Sequence, residues 1–177
     1  MKKAIFLDRD GVINYDPGYV HKIEDFKLLP YVTKALSMLK GFELFIVTNQ
    51  SGIGRGYYTK KDFLLFNDHL IKVLESEGIK IKKTYYCPHK PSDKCDCRKP
   101  SIKFLKLAEK EFNINLSESF VIGDHPHDIV MGKNAGCKAI YILTGHGEKH
   151  INELTIKPDF IAKNLVEAAK YILGVKK

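Results

Sequence analysis

Apolar runs alternate with helical patterns along most of the chain. "AIFL" at residues 4–7 and "FELFIVT" at 42–48 are continuous apolar runs, as expected for strands covered on both faces. Tyr31 to Lys40 carries Val32, Leu36 and Leu39 at helical spacing and stops at Gly41. Thr59 and Asp62 are spaced as a capping box, opening a helix that lines up Phe63, Phe66, Leu70 and Leu74 and ends near Gly78. "TYYC" at 84–87 predicts a short strand, and Ile102 to Phe112 an amphipathic helix. "FVIGD", "AIYIL" and "DFIA" predict later strands, with helices around Asp128–Asn134 and Leu165–Leu173. Strands alternating with helices predict a doubly wound α/β fold with a parallel sheet.

Three predicted strands run directly into polar clusters: "FLDRDG", "FIVTNQSG" and "FVIGDH". Open α/β sheets bind ligands at the carboxyl ends of their strands, so the clusters are expected to meet on one edge. Asp8, Asp10 and Asp124 together would repel one another, and burial would make this worse. A hard divalent cation relieves the repulsion, and magnesium suits one or two carboxylates, water and a phosphate. Thr48 and Asn49 add hydrogen-bond donors, and Lys99 a positive charge. This set is suited to phosphoryl transfer, with a carboxylate able to act as the nucleophile. Each motif alone is ambiguous, since "DRDG" can be a turn and "GD" is a common loop pair. Their joint order after three strands carries the argument.

Composition excludes little further. The chain has 177 residues, 44% hydrophobic and 28% charged, which fits one domain over 1–177 with a full core. No run approaches a membrane span, and "AIFL" is too short for a signal-peptide core, so a cytoplasmic location is expected. The net charge is +8, but the lysines are spread without a dense tract, which reads as a solvated surface. Only three arginines accompany 26 lysines: Arg9, Arg55 and Arg98, all inside motif-like stretches. Arginine's planar fork grips phosphate or carboxylate at two points, unlike lysine. Of the four cysteines, Cys137 lies beside an apolar run as a core residue. Cys87, His89, Cys95 and Cys97 form a C-x-H-x5-C-x-C array, a full tetrahedral set for a structural zinc ion that would hold "RKP" rigidly behind it.

"FLDRDGVIN", "VTNQSG", "CRKP" and "VIGDHPHDIVMGKNAG" resemble the motifs of the haloacid dehalogenase (HAD) superfamily of phosphohydrolases, from residue 6 to 136. The resemblance implies Asp8 as nucleophile, Asp10 as general acid and base, and Thr48 and Lys99 as holders of the transferring phosphoryl group. It places magnesium on Asp8, the Asp10 main-chain carbonyl and Asp124, with Asp128 in support. The gaps between the motifs are too short for the separate cap domain that many members carry. The zinc loop is similar to two groups, the D-glycero-D-manno-heptose 1,7-bisphosphate 7-phosphatases and the histidinol-phosphate phosphatases. "NYDPGYVHKIEDF" and "TNQSGIGRG" resemble the first group. By position, Asp16, Pro17, Gly18, Tyr19, Asn49, Gln50, Ser51 and Arg98 would contact a sugar bisphosphate, with Arg55 nearby. The expected partner is that small molecule, with no nucleic acid and no membrane, and the chain is expected to be a monomer. A histidinol-phosphate phosphatase is the alternative, and a nucleic-acid 3′-phosphatase has no supporting motif. The chain departs from the heptose pattern at His125, where a lysine usually follows the aspartate. If His125 meets phosphate, its charge would depend on pH, since an unperturbed imidazole titrates near ~6.5.

Overall fold

The computed structural model describes residues 1–175. Six parallel strands form one sheet: β1 (Ala4–Leu7), β2 (Glu43–Asn49), β3 (Ile81–Cys87), β4 (Phe120–Gly123), β5 (Lys138–Ile142) and β6 (Phe160–Ala162). Their order is β3-β2-β1-β4-β5-β6. The order reverses between β1 and β4, and the crevice at the carboxyl ends there is where such sheets bind ligands. The helices are α1 (Val32–Met38), α2 (Ser51–Gly54), α3 (Lys60–Ser76), α4 (Lys103–Phe112), α5 (Pro126–Asn134), α6 (Gly147–His150) and α7 (Leu165–Ile172).

Strand alternation explains how the continuous apolar runs are used. Ile5 and Leu7 of β1, Leu44 and Ile46 of β2, and Ile122 of β4 enter one core. That core is covered by Val32 and Leu36 of α1, Leu70 and Leu74 of α3, and Ala168 and Ala169 of α7. Ala4, Phe6, Phe45, Val47 and Val121 point the other way, onto Leu105 and Ala108 of α4 and Met131 of α5. Two faces therefore need two apolar sets from each strand, which is why the runs show no alternation of apolar and polar positions. The expected capping box forms, with the Asp62 amide donating to Thr59 Oγ1 at 3.2 Å and the Thr59 amide donating to Asp62 at 2.8 Å.

β3 is longer than its apolar "TYYC" stretch, beginning at Ile81. It is an edge strand, and Lys83 turns outward to pair with Glu111 of α4 at 2.6 Å. Lysines on an exposed edge discourage pairing with another chain, and they hide the strand from a hydrophobicity pattern. Among the described residues, no helix is long and apolar enough to cross a membrane.

Candidate active site

Asp8 and Asp124 follow β1 and β4 directly, on either side of the point where strand order reverses. The Asp8 amide donates to Ile122 O at 2.9 Å, so the sheet ladder itself fixes the base of the site. Two glycines let the backbone close around Asp124. Gly11 (φ +82°) and Gly145 (φ +58°) lie where an added Cβ would meet Asp124 Oδ2 at 2.2 and 2.3 Å. Asp124 Oδ2 also accepts the His146 amide at 2.8 Å. At Gly123 an added Cβ would meet the Asp128 carboxyl carbon at 2.1 Å, so the "GD" pair has a steric reason.

Asp8, Asp124 and Asp128 bring carboxylate oxygens within 4.8 Å of one another. Lys99 is buried among them, 2.8 Å from Asp8 Oδ2 and 2.7 Å from Asp128 Oδ1, and it donates to Val47 O at 3.0 Å. All three ammonium protons are thus engaged. Burial alone would lower the Lys99 pKa, but Asp128 and Asp8 outweigh it and hold the ammonium well above its ordinary value. Burial, with Asp128 and Asp124 alongside, raises Asp8 well above the ordinary carboxylate range despite Lys99. Asp124 is pushed up to about 6, by burial and then Asp128, against the His146 amide and Lys99. One lysine does not balance three carboxylates, and among the described residues Asp124 has no salt bridge. This donor set fits a divalent cation with oxygen ligands.

Asp10 is held differently. Arg9 grips it at two points, Nε to Oδ1 at 2.9 Å and Nη2 to Oδ2 at 3.0 Å. Asn14 Nδ2 donates to Oδ1 at 3.0 Å, and Gln50 Nε2 donates to Oδ2 at 2.8 Å. Gln50 also donates to Thr48 Oγ1 at 2.9 Å and accepts the Tyr58 hydroxyl at 2.6 Å. Arg9 is fully buried, its guanidinium 4.7 Å from the Phe66 ring centroid and 5.3 Å from that of Phe63. The three arginines occupy three different settings. Arg9 grips a carboxylate of its own chain, Arg98 lines the cavity, and Arg55 is exposed at the end of α2.

The cavity over these groups has a volume of about 210 Å3, below the roughly 300–1,000 Å3 of a drug-sized site. Its walls include Asp8, Asp10, Asp124 and Lys99, together with Asp16, Asn49, Arg98 and His125 from the expected substrate set. His127 and His146 join them, and the motifs did not single these out. Thr48 and Gln50 are buried beneath the wall, and Ser51 opens α2. Pro17, Gly18 and Tyr19 form an exposed turn in which Asp16 Oδ1 accepts the Gly18 amide at 2.8 Å and Tyr19 packs edge-on against Tyr57. His125 does not behave as an unperturbed imidazole. Burial, then His127, lowers its pKa to about 4, so the free ring is neutral near pH 7. Its Nδ1 accepts the His127 amide at 3.2 Å, which requires that nitrogen to be unprotonated.

The Cys/His array closes as its spacing suggests. Cys87 Sγ lies 3.8 Å from Cys95 Sγ and 3.5 Å from His89 Nδ1, and Cys97 Sγ lies 3.4 Å from the same nitrogen. A tetrahedral zinc with its usual bond lengths separates ligands by about 3.8 Å for two sulfurs and about 3.6 Å for sulfur and nitrogen. Burial pushes the Cys87 thiol up to about 12 and raises Cys97. At Cys95 burial is outweighed by the Cys97 and Arg98 amides, and its pKa falls. The array is tied to the carboxyl edge of the sheet through the Gln50 amide, which donates to Cys87 O at 2.7 Å. Beyond it, Arg98 Nη1 donates to His89 O at 3.3 Å and the Lys99 amide to Asn49 Oδ1 at 3.1 Å. The loop thus leads directly into two cavity-lining cations. Cys137 is buried in the second core, as expected.

A HAD-hydrolase-like family model matches residues 96–168. The D-glycero-beta-D-manno-heptose-1,7-bisphosphate 7-phosphatase of Haemophilus ducreyi is 39% identical, covering 97% of this chain and 98% of its own. The enzyme of Campylobacter jejuni named for the alpha anomer is 40% identical, over 96% of this chain and 95% of its own. A D,D-heptose 1,7-bisphosphate phosphatase from B. bronchiseptica, solved with magnesium and phosphate, superposes with a TM-score of 0.91 at 27% identity. That structural match covers 98% of this chain and 99% of the other.

Proposed function

The chain belongs to the D-glycero-D-manno-heptose-1,7-bisphosphate 7-phosphatase family of HAD-like phosphoric monoester hydrolases, and from that premise we propose that it removes the C7 phosphate of this sugar bisphosphate. Asp8 attacks the phosphorus, and its new oxygen–phosphorus bond forms as the bond to the C7 oxygen breaks. Asp10 gives its proton to the departing C7 oxygen. It then takes a proton from the water that attacks the aspartyl-phosphate, releasing inorganic phosphate and restoring Asp8. Lys99 and Thr48 steady the transferring group, while Arg9, Asn14 and Gln50 keep Asp10 in one orientation. A magnesium ion held by Asp8, Asp124 and the Asp10 carbonyl would neutralise charge on the phosphoryl oxygens.

Asn49, Arg98, Asp16 and His125 line the cavity and are assigned to the remainder of the substrate, with Gln50 and Ser51 behind them. Pro17, Gly18, Tyr19 and Arg55 are exposed and are assigned to the rim of the cavity. Zinc at Cys87, His89, Cys95 and Cys97 would fix the loop that carries Arg98 and Lys99. The chain is read as one catalytic domain without a separate cap, acting in the cytoplasm on a small molecule. The substrate is stated without an anomer because relatives named for both anomers match this chain equally well.

The observation that carries the reading is the pairing of the Asp8 site with full-length likeness to the 7-phosphatases. The test is phosphate release with magnesium from heptose 1,7-bisphosphate, histidinol phosphate and a 3′-phosphorylated oligonucleotide. The bisphosphate is expected to give a kcat/KM at least about 100-fold above the others, which corresponds to ~2.7 kcal/mol of discrimination. Equal or greater turnover of histidinol phosphate would overturn the substrate assignment while leaving the phosphatase chemistry in place.

A further inference from the structure

Among the described residues, three side-chain groups are close enough to hold a metal ion. Two are the carboxylates of the catalytic edge and the Cys/His array. In the third, His125, His150 and Glu153, His125 lines the cavity while His150 and Glu153 have no part in the chemistry above. This third group belongs to a wider gathering at the cavity rim. The His125 ring lies 4.5 Å from that of His127 and 4.9 Å from that of His150, and His146 lies 6.2 Å from His150. Four of the seven histidines therefore stand together, brought by two separate parts of the chain.

We propose that His125, His150 and Glu153 form a further metal site, selective for a borderline transition-metal ion such as nickel or zinc, and that filling it restricts the catalytic cavity. The donor set argues for this class of ion. Imidazole nitrogens favour nickel, copper and zinc over magnesium, which prefers oxygen and water. His150 and Glu153 are three residues apart at the end of α6 and the 3-10 turn after it, and His150 Nδ1 donates to Glu153 Oε1 at 2.8 Å. In that arrangement Glu153 either ligates directly or orients His150 as a carboxylate does behind many metal-bound imidazoles. His125 contributes a lone pair held only by the long bond from the His127 amide. One donor atom from each residue lies within 4.8 Å of the others, so movements of roughly an ångström would bring them to the 3–4 Å separations of ligands on one ion. Three protein ligands leave a position open to water or a substrate oxygen. His125 also lines the catalytic cavity, so an ion that fixes its ring stands at the substrate's entrance.

The test uses untagged protein with its Cys/His array filled with zinc and with saturating magnesium, which occupies the carboxylates. Titration with nickel, followed by calorimetry, is expected to show one further equivalent per chain. His150→Ala and Glu153→Gln, both outside the catalytic machinery, are each expected to weaken that binding at least tenfold. No further equivalent, or an equivalent that both variants retain, overturns the site; this part does not depend on the identity of the substrate. In parallel, hydrolysis of any phosphomonoester the protein accepts is expected to fall as nickel fills the site, with the midpoint of the binding curve. Inhibition with an unchanged midpoint in His150→Ala would place the inhibiting ion elsewhere and overturn the link to the cavity. Circular dichroism of both variants identifies any loss due to misfolding, and the variant that keeps its fold decides the result.

Discussion

The carboxylate cluster and the Cys/His array lie side by side yet are assembled in opposite ways. The first draws Asp8, Lys99, Asp124 and Asp128 from three separated parts of the chain, and the sheet core holds them together. The second takes all its members from eleven residues, 87–97: Cys87 ends β3 and is buried, as is Cys97, but the loop between them is exposed or half-buried. A site built on strand ends remains when its ion leaves, because packing fixes its shape. A loop whose side chains can satisfy one another only through a metal has much less to fall back on. The difference suggests a division of labour, in which the core positions the carboxylates and anchors Lys99 through Val47 O, while the loop positions the grip of Arg98 on substrate.

The sharpest break in that comparison comes at Asp8. Asp8→Asn is expected to reduce kcat by about 10^4-fold or more, as removal of a nucleophile does, with thermal stability unchanged or higher. Loss of folding instead would show that Asp8 serves the sheet rather than the chemistry.

Arg9→Lys tests whether the core extends to the second acid. It removes the two-point grip on Asp10 and the packing on Phe63 and Phe66, and is expected to cost about 3 kcal/mol of stability in urea unfolding. Its kcat is expected to fall by about 10- to 100-fold through loss of oriented acid catalysis. Near-wild-type kcat would remove Arg9 from the positioning role.

Stripping the proposed zinc from the Cys/His array with a strong chelator, then restoring magnesium, is expected to raise KM by about tenfold and change kcat less. A collapse of kcat with KM unchanged would reverse the division of labour. Finding no thiophilic metal in protein purified without added metal would remove the zinc assignment.

Crowding of the carboxylates gives a smaller effect with a defined sign. The Asp124 pKa is raised to about 6 in the fold against an ordinary 3.8. Its contribution to stability is therefore fully present below about pH 4 and lost as pH rises through about 6. Magnesium relieves the crowded anions only where they are ionised. The rise in Tm on adding magnesium is expected to be larger at pH 7.5 than at pH 5, as calorimetry would show; an equal rise at both would contradict it. The smallest effect is at His125. Its pKa of about 4 in the free protein means that His125→Gln leaves the pH profile of kcat/KM between 6 and 8 unchanged. A titration near 6.5 that disappears in the variant would restore the switch its sequence position suggested.

Much of the fold is legible because strands buried on both faces print as unbroken apolar runs, and because Thr59 and Asp62 cap α3 by a local rule. The first half of β3 is not legible, since an edge strand carries Lys82 and Lys83 outward. Asp8 and Asp124 stand out because each directly follows such a run. Arg9 is harder to read, because a motif arginine buried against two phenylalanines looks the same in sequence as one that grips phosphate. The closure of Gly11 and Gly145 on Asp124, and the meeting of His125 with His150, depend on loops far apart in the chain. No local pattern records either contact.

The most direct test of Asp8 as the nucleophile is a rapid acid quench of the protein turning over substrate labelled with radioactive phosphorus at C7. The expected result is a protein-bound phosphoryl group that is labile to hydroxylamine, maps to the peptide containing Asp8 and is absent from Asp8→Asn. Steady turnover with no labelled protein at any quench time, or label on a peptide without Asp8, would contradict it.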